Sequence, residues 1–515
     1  MAAFDEQAAG DFDGDGIVHE FSFGFWRDAA GITRQGAKAN GVDVLSRCSD
    51  GPYAATRSAD GEFDGNAQPI FVHRTAITSS KRSSQELTEA IENYRFSDVS
   101  VPAKGGASGT ASMSSTFSLI LRDKRIRIPA VTLVALAFTY ASTAPYQSII
   151  GINELGLSNG TYSALIFFSA IVNVTTSLAL GIWSDRLKER RPLVLGLSVA
   201  GMLGFGSIAI FHSPAVFIVS TLLLVPMSNS TYSLLFASLR ARTNQMDRGQ
   251  AAGITATVRA LFSGSWALAP GMIGLYLVNS PSMTPAYGIA AFASLTCFCL
   301  YFFFAPGNGT AGPAPDQPGF LASLKRIFMP SVLSRVIVMA LLFGLQRLNS
   351  MLLPLIITHA ADGSVVDVGF VAGLTAFLEM PFMMMWGMAQ RRFRTVHVLA
   401  FGALIYCAYL LLLGFASAPW HIYALLLLNA CGAAAILSVP ITYLQDLIAD
   451  RPGLGTSLIS LNTFIGTGIA AGLFAFGTAI TDYSGTAFVG AAAGLASIGV
   501  LLYLESAGRQ ARQPA

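Results

Sequence analysis

From residue 121 onward, stretches of about 20 predominantly apolar residues recur, each long enough to cross a hydrocarbon layer of about 30 Å. Lipid tolerates only backbone that satisfies its own hydrogen bonds, so each stretch is predicted to be an α-helix. The sequence therefore predicts twelve transmembrane helices, called spans one to twelve. They lie at 128–150, 160–183, 193–212, 214–236, 252–276, 284–305, 332–357, 367–390, 396–416, 420–443, 456–480 and 484–505.

The composition excludes a soluble globular fold. Hydrophobic residues make up 53% of the 515-residue chain and charged residues 12%, against about 25% charged residues in a soluble domain. A net charge of +3 gives no reason to expect a nucleic-acid partner. The histidines and acidic residues do not cluster at the spacing that a membrane-embedded enzyme requires. We therefore expect a protein that is not an enzyme, without catalytic residues, metal or cofactor.

Lysine and arginine alternate between the two sets of loops. The loops near 151–159, 213, 277–283, 358–366, 417–419 and 481–483 hold none. The opposite set holds Arg122, Lys124, Arg125, Arg127, Arg186, Lys188, Arg190, Arg191, Arg240, Arg242, Arg248, Lys325, Arg326, Arg391, Arg392, Arg394, Arg451, Arg509 and Arg512. By the positive-inside rule this set faces the cytoplasm. The alternation predicts a multi-pass protein of the cell (inner) membrane with both termini cytoplasmic.

The segments between and before the spans divide the chain. The first 112 residues are rich in Gly, Ser, Ala and Asp and hold no spanning apolar run, which predicts a disordered tail or an extension upstream of a start at Met113. A Gly- and Pro-containing stretch separates spans six and seven. The predicted parts are a tail at 1–112, a six-helix half at 113–305, a central cytoplasmic loop at 306–330, a second six-helix half at 331–505 and a cytoplasmic tail at 506–515.

Polar residues recur at corresponding depths in the two halves. An offset of 206 residues matches Asn173 in span two with Glu379 in span eight, and an offset of 203 matches Arg259 in span five with Asn462 in span eleven. Corresponding polar positions indicate parallel repeats around an axis normal to the membrane. An isolated charge inside hydrocarbon is costly, so each of these residues needs a partner or water.

The loop after span two reads Gly181-Ile-Trp-Ser-Asp185-Arg186-Leu-Lys-Glu-Arg190-Arg191. It resembles the loop motif of the major facilitators, with Lys188 where the family has glycine. The resemblance implies a conformational gate that holds neighbouring helices in one transport state. The alternative is a basic loop with a helix-capping aspartate. The predicted gate residues are Gly181, Asp185, Arg186, Arg190 and Arg191.

Further segments resemble the bacterial sugar efflux transporters, a branch of the major facilitators. They are Ala144–Gln147, Ser230–Arg240, Val258–Pro270, Ala372–Pro381 and Leu444–Leu447, and the resemblance covers about residues 125–505. It implies an all-α major facilitator fold and a monomeric secondary active transporter that exports sugars or glycosides by proton-coupled alternating access. Membrane lipid and a small-molecule solute are the expected partners.

A sugar site needs amide and charged side chains for the hydroxyl groups and an indole for the ring face. The candidates are Gln147, Asn173, Arg259, Trp266, Gln346, Arg347, Asn349, Glu379 and Asn462. Amides in spans also bond one helix to another, which is the competing interpretation. Met380 and Met383–Met385 keep export of amphiphilic drugs as an alternative, and a membrane-embedded enzyme or receptor is a remote one.

Glu379 has two competing interpretations. In the major facilitator fold, helix five packs against helix eight and helix two against helix eleven. By that analogy Arg259 faces Glu379, and Asn173 faces Asn462. Glu379 is then either a proton site that couples solute export to proton entry, or one partner of a fixed ion pair that joins the two halves.

Overall fold

The computed structural model describes residues 23–26, 69–72, 113–186, 190–305, 330–446 and 452–510. The twelve long helices are α1 Lys124–Glu154, α2 Asn159–Arg186, α3 Arg191–Phe211, α4 Pro214–Thr243, α5 Arg248–Leu277, α6 Pro285–Phe304, α7 Pro330–His359, α8 Val365–Arg392, α9 Thr395–Leu413, α10 Pro419–Asp446, α11 Pro452–Ile480 and α12 Tyr483–Gln510. They correspond one to one to the twelve predicted spans, which confirms the predicted fold class.

Within the described residues, eleven of these helices are long and apolar enough to cross a membrane. The remaining one is α2, whose 28 residues give a length of about 42 Å at 1.5 Å per residue, more than the hydrocarbon needs. Its average hydrophobicity equals that of α8, which has the same length, and several of its side chains lie outside the described residues. Length and composition together therefore make α2 a spanning helix.

The helix pairings in one half recur in the other, which fits the predicted duplication. In the N-terminal half, α1 packs against α4, α5 and α6, and α3 against α6. In the C-terminal half, α7 packs against α10, α11 and α12, and α9 against α12. Each pairing therefore shifts by six helices.

The two faces of the bundle differ in charge. The connections 155–158, 212–213, 278–284, 360–364, 414–418 and 481–482 hold neither Lys nor Arg and define the arginine-poor end. The connections 187–190, 244–247, 305–329, 393–394 and 447–451, with the helix termini beside them, define the arginine-rich end. The observed helix bounds thus preserve the alternation of Lys and Arg between successive connections, on which the prediction of twelve spans rests.

Local chemistry sets several helix boundaries. Asp123 caps α1 by accepting the Arg125 N–H at 2.8 Å. Ser364 and Asp367 form a capping box at the start of α8. Near its end α1 is irregular: Pro145 lies in a 3-10 turn at Ala144–Tyr146, and a π-helical turn follows at Ile150–Glu154. Because proline has no N–H, the regular ladder is interrupted there, just before Gln147.

Three features differ from the predicted boundaries. A short leading helix, Met113–Arg122, precedes α1 and buries Thr116 and Ile120 while Phe117 and Leu121 stay exposed. The last helix continues past the predicted end at residue 505 to Gln510. In the segment predicted as a tail, two strands pair antiparallel, β1 (Phe23–Trp26) with β2 (Pro69–Val72). The prediction for the rest of 1–112 lies outside the described residues, as does that for 306–329.

Candidate functional site

The two halves approach closely at a seam of α5 against α8 at the arginine-poor end. A Cβ added to Gly373 would lie 2.6 Å from the Ala267 carbonyl oxygen, and one added to Gly274 would lie 3.3 Å from the Val365 carbonyl oxygen. Glycine is needed at these positions because the two backbones approach directly. We call Ala267–Gly274 with Val365–Gly373 the glycine seam.

Tyr146 of α1 extends the glycine seam to a third helix. Its hydroxyl donates a 2.8 Å hydrogen bond to the Pro270 carbonyl of α5 and is completely buried. A side chain on Gly369 of α8 would collide with both of these groups. The three helices are therefore held together by the Tyr146–Pro270 hydrogen bond and by the close approach of the α5 and α8 backbones.

The second junction between the halves, α2 against α11, is also closed at the arginine-poor end. The Ser163 hydroxyl donates to the Ala471 carbonyl, and the Tyr483 hydroxyl of α12 donates to the Asn159 Oδ1 at 3.1 Å. Tyr162 packs edge-on against Phe474 with ring centroids 6.0 Å apart. The predicted packing of span five on eight and of span two on eleven is thus confirmed.

Toward the arginine-rich end, a pocket of about 670 Å³ opens between α4 and α5. Arg240 and Arg259 are two of its walls, and both side chains are exposed. The Arg259 guanidinium carbon lies 5.9 Å from the centroid of the Phe236 ring, a cation–π distance. The other lining residues are Thr243, Asn244, Ala251, Ala252, Thr255 and Ala256.

The expected ion pair between Arg259 and Glu379 is not formed. Where both side chains are described, the ion pairs are Arg242–Asp123 at 2.7 Å and Arg335–Glu505 at 3.3 Å. The interpretation of Glu379 as half of a fixed pair with Arg259 is therefore wrong in this conformation. The physical reason is depth: α5 and α8 touch at the glycine seam, whereas Arg259 lies toward the arginine-rich end and contacts α4 instead.

Glu379 is half-buried on α8 and has a neighbour that sequence reasoning missed. Tyr406 of α9 is completely buried, and its hydroxyl has no hydrogen-bond partner among the described residues. This hydroxyl lies in the neighbourhood of both the Glu379 carboxyl group and the Asn349 side chain. A tyrosine inside an apolar stretch resembles an ordinary packing residue, so the sequence carried no signal that singled it out.

The candidates on α7 divide into an exposed cation and a buried amide. Arg347 is exposed, without an ion pair among the described side chains, and its guanidinium carbon lies 5.5 Å from the Phe343 ring centroid. Gln346 is half-buried. Asn349 is only 6% exposed and accepts a 3.1 Å hydrogen bond from Tyr409 of α9. Asn349 therefore joins two helices, as the competing interpretation of span amides predicts.

The expected Asn173–Asn462 contact is not a hydrogen bond. The Asn173 side chain accepts from Ser177 one turn along its own helix, at 3.4 Å. Asn462 is 5% exposed, and its Oδ1 has no partner among the described residues. Because the contacts of α2 with α11 lie nearer the arginine-poor end, the two amides do not join the halves.

Trp266 and Gln147 are both half-buried. Trp266 lies seven residues after Arg259 on α5, so both side chains share one face, about 10.5 Å apart along the axis at 1.5 Å per residue. Gln147 starts the short helical turn that follows the irregular segment of α1 at the arginine-poor end. The structure thus places Arg259 and Trp266 on one surface, and Gln147 on another helix.

The predicted gate is described only in part. The side chains of Gly181, Asp185 and Arg186 lie outside the described part of the structure. Arg191 donates a 2.6 Å hydrogen bond to the Phe302 carbonyl, in the last turn of α6, where a cation is favoured. The Nε of its neighbour Arg190 is buried without a partner in the described residues. Arg191 therefore fastens α3 to α6 within one half.

Three of the four methionines that suggested a drug site, Met383, Met384 and Met385, do not share a surface. Met383 and Met385 pack against the hydrophobic core. Met384 is 74% exposed and belongs to an apolar stripe along α8 with Phe370, Leu374, Phe377 and Met388. A continuous apolar stripe along one face of a spanning helix is suited to contact lipid. These three methionines therefore do not line a common cavity.

One titratable contact lies outside the spans. Asp123 accepts a 2.7 Å hydrogen bond from the Arg242 Nε, which ties the start of α1 to the end of α4. Partial burial raises the pKa of Asp123, but the Arg242 side chain and the Arg125 N–H outweigh this, and the pKa is lowered overall. The contact stabilises the arginine-rich end of the N-terminal half.

Comparison with known proteins agrees with this architecture. The chain is 26% identical to a putative sugar efflux transporter from Deinococcus radiodurans over 382 residues, 73% of this chain and 96% of that protein. It is 26% identical to sugar efflux transporter B of Salmonella typhimurium, over 67% of this chain and 86% of that protein. The described fold superposes on a crystal structure of the nucleoside transporter NupG with TM-score 0.63 at 12% identity, covering 74% and 99% of the two chains.

A second solved structure, the peptide transporter PepTSo, has a TM-score of 0.63 at 14% identity, with 76% of this chain and 99% of that chain covered. At such identities these likenesses concern the fold alone. The sequence model of the Major Facilitator Superfamily matches residues 71–270 and 130–471. With the duplicated six-helix halves and this match over more than half of its length, the chain belongs to the Major Facilitator Superfamily.

Proposed function

We propose that this transporter exports sugars or glycosides across the cell (inner) membrane by alternating access. The observation that carries the proposal is the asymmetry of the bundle. The halves are joined through the glycine seam at the arginine-poor end, whereas Arg259 and Arg347 stay exposed and unpaired among the described residues. Relatives named sugar efflux transporters, similar over about two thirds of the chain or more, support the class of solute.

The direction of opening fits export. The positive-inside rule assigns the arginine-rich end to the cytoplasm, with both termini on that side. The pocket between α4 and α5 then opens toward the cytoplasm while the far side is closed. An exporter loads its solute in this state, and opening of the glycine seam with closure of the arginine-rich end would release it. We propose that one chain, as a monomer in lipid, contains the whole pathway.

We propose that Glu379 couples export to proton entry. Its carboxyl group is half-buried and has no cation within 4.0 Å among the described side chains. A lone carboxylate inside a membrane protein is costly, and taking up a proton removes that cost. A carboxyl group in this setting can change its protonation as the cavity alternates between the two aqueous sides.

The substitution Glu379→Gln in everted membrane vesicles tests this coupling. We expect glycoside flux driven by a pH gradient to fall by about 10-fold or more, equivalent to about 1.4 kcal/mol. Exchange of labelled for unlabelled glycoside without a gradient should persist, because the solute contacts remain. The conservative variant Glu379→Asp should keep part of the gradient-driven flux.

Two outcomes would count against the proposal. Gradient-driven flux at the wild-type level in Glu379→Gln would remove Glu379 from the coupling. If vesicles accumulate amphiphilic drugs and no glycoside, the alternative function as a drug exporter replaces sugar export. The second outcome would leave the transporter fold and the role of the glycine seam intact.

A further inference from the structure

Three arginines, two at the open side of the bundle and one in the middle of α7, lack anionic partners among the described residues. Arg240, Arg259 and Arg347 are exposed and make no ion pair or side-chain hydrogen bond with the described residues. Arg242 and Arg335, by contrast, are held by Asp123 and Glu505. Position along the helices matters here, since Arg347 lies in the middle of α7, where an uncompensated cation is expensive.

Two of these arginines share the pocket between α4 and α5. Tyr232, Phe236 and Arg240 recur every four residues and lie on one face of α4. Arg259 approaches this face from α5, over the Phe236 ring. The pocket of about 670 Å³ falls within the range of ligand sites, about 300–1,000 Å³. Among the described residues, its lining contains two guanidinium groups and no Asp or Glu.

Such a lining selects for charge as well as size. Guanidinium groups bind carboxylates and phosphates through two parallel hydrogen bonds, a geometry that a neutral hydroxyl cannot match. Tyr232 and Phe236 pack with ring centroids 4.7 Å apart and add an apolar surface beside the two cations. Among the described side chains in the middle of the spans, the two cations Arg259 and Arg347 outnumber the one carboxyl group, that of Glu379. An anionic solute would balance this excess as it crosses.

Resting on the proposed function, we propose that the exported solute is an anionic sugar, with its carboxylate or phosphate bound first by Arg240 and Arg259 and then passed to Arg347. The pyranose ring would lie against the aromatic face of Tyr232 and Phe236. The preferred chemical class is therefore sugar acids and sugar phosphates, which we expect to bind more tightly than neutral glycosides.

Binding to the purified full chain in nanodiscs of zwitterionic lipid tests the proposal. The probes are glucuronate, glucose 6-phosphate and methyl glucoside, each measured by calorimetry at low and at high salt. We expect at least one anionic sugar to bind about 10-fold or more tightly than methyl glucoside, with affinity falling as salt rises. Comparing the two anions shows whether a carboxylate or a phosphate is preferred.

The variant Arg259→Gln should lower the affinity for the anionic sugar by about 10-fold and leave methyl glucoside nearly unchanged. Arg259→Lys keeps the charge but lacks the planar guanidinium group. Its affinity for the anionic sugar should lie between those of the unmodified protein and Arg259→Gln. The matched control is Arg391→Gln, an exposed arginine at the arginine-rich end of α8, outside the pocket. Elution of every variant as a single species in size-exclusion chromatography excludes misfolding.

The outcomes separate this inference from the proposed function. Equal or tighter binding of methyl glucoside would overturn the anionic specificity and leave sugar export standing. If benzoate or inorganic phosphate competes as well as the anionic sugars, the site binds anions without recognising the sugar, and the inference also fails. Absence of binding and of transport for every sugar would overturn both proposals together.

Discussion

The arginine-poor end of the bundle and the pocket between α4 and α5 treat polar side chains in opposite ways. At the arginine-poor end, Glu154 accepts the Met283 N–H at 2.6 Å, and Asp367 accepts the Tyr423 hydroxyl at 2.9 Å. In that pocket, Arg259 lies over the Phe236 ring and makes no ion pair with the described residues. Buried polar groups are normally hydrogen-bonded. The contrast fits the proposal that the arginine-poor end is closed and that the pocket between α4 and α5 meets water and solute.

The largest effect on transport is expected from Gly373→Leu, which should force the glycine seam open. The first carbon of the new side chain would lie 2.6 Å from the Ala267 carbonyl oxygen, so α5 and α8 must separate. Overpacking costs about 1–3 kcal/mol in the closed state, which should lower transport by about 10-fold. Reaction of a cysteine placed at Val366 with an impermeant maleimide should increase, which measures the opening.

The matched control for that variant is Gly387→Leu on the same helix. A Cβ there would have no neighbouring atom within 4 Å. Transport by this control should stay close to that of the unmodified protein. Normal transport and unchanged cysteine labelling in Gly373→Leu would show that the glycine seam is not a joint that moves.

The next effect concerns Asn462, whose buried Oδ1 is unpartnered among the described residues. A buried unsatisfied polar group costs about 1–3 kcal/mol, so Asn462→Leu should raise the unfolding temperature. Transport should fall at the same time, because an amide that could bind the solute is lost. Thermal unfolding in detergent and vesicle flux are the two measurements.

Asn429→Leu supplies the contrasting case. The Asn429 amide of α10 donates to the Thr375 hydroxyl of α8 at 3.3 Å, so its loss should lower stability. If Asn462→Leu were destabilising to the same degree, Asn462 would act as a bond between helices, and its assignment to the solute site would be wrong.

A smaller effect is expected from Tyr146→Phe. The change removes the hydroxyl that donates to the Pro270 carbonyl and keeps the ring in place. One such hydrogen bond contributes about 1 kcal/mol. Labelling of the cysteine at 366 should therefore rise less than in Gly373→Leu. Tyr503→Phe, at a position 70% exposed, should show no change, and an equal response of both variants would contradict the role of Tyr146.

The smallest effect is a dependence on pH at the arginine-rich end. Because the pKa of Asp123 is lowered in the folded protein, its contribution to stability is complete above the usual aspartate range and is lost as pH falls through the lowered pKa. For a partly exposed pair we expect less than about 1 kcal/mol. Unfolding temperatures should be measured from about pH 3 to about pH 7, which covers the usual titration of aspartate. They should depend less on pH in Asp123→Asn than in the unmodified protein.

The sequence predicted the helices well because lipid leaves few choices. Apolar length located the spans, and the alternating arginines gave the order of the two ends. The depth in the membrane at which two helices touch was harder to predict. Analogy correctly paired span five with span eight, but the sequence pattern of a helix does not indicate where along their length the two helix axes come closest. The small residues Gly369 and Gly373 bring α5 and α8 together away from Arg259 and Glu379.

Two further features were beyond a reading by hydropathy. The leading helix, Met113–Arg122, has 10 residues and is too short to register as a span. Its Thr116 nevertheless packs on Gly253 of α5, at 3.3 Å from the position a Cβ would take. Tyr406 was missed because its proximity to Glu379 depends on how α8 and α9 are arranged, which a linear pattern does not contain.

The glycine seam has a consequence for the speed of conformational exchange. Where helices interlock through long side chains, parting them requires many rotamer changes and leaves cavities behind. In the seam, the carbonyls of Ala267 and Val365 face glycines, which have no rotamers to change. When these helices separate, the van der Waals attraction between them therefore decreases gradually. A transporter built this way can hold one side tightly shut and still keep the kinetic barrier to reopening low.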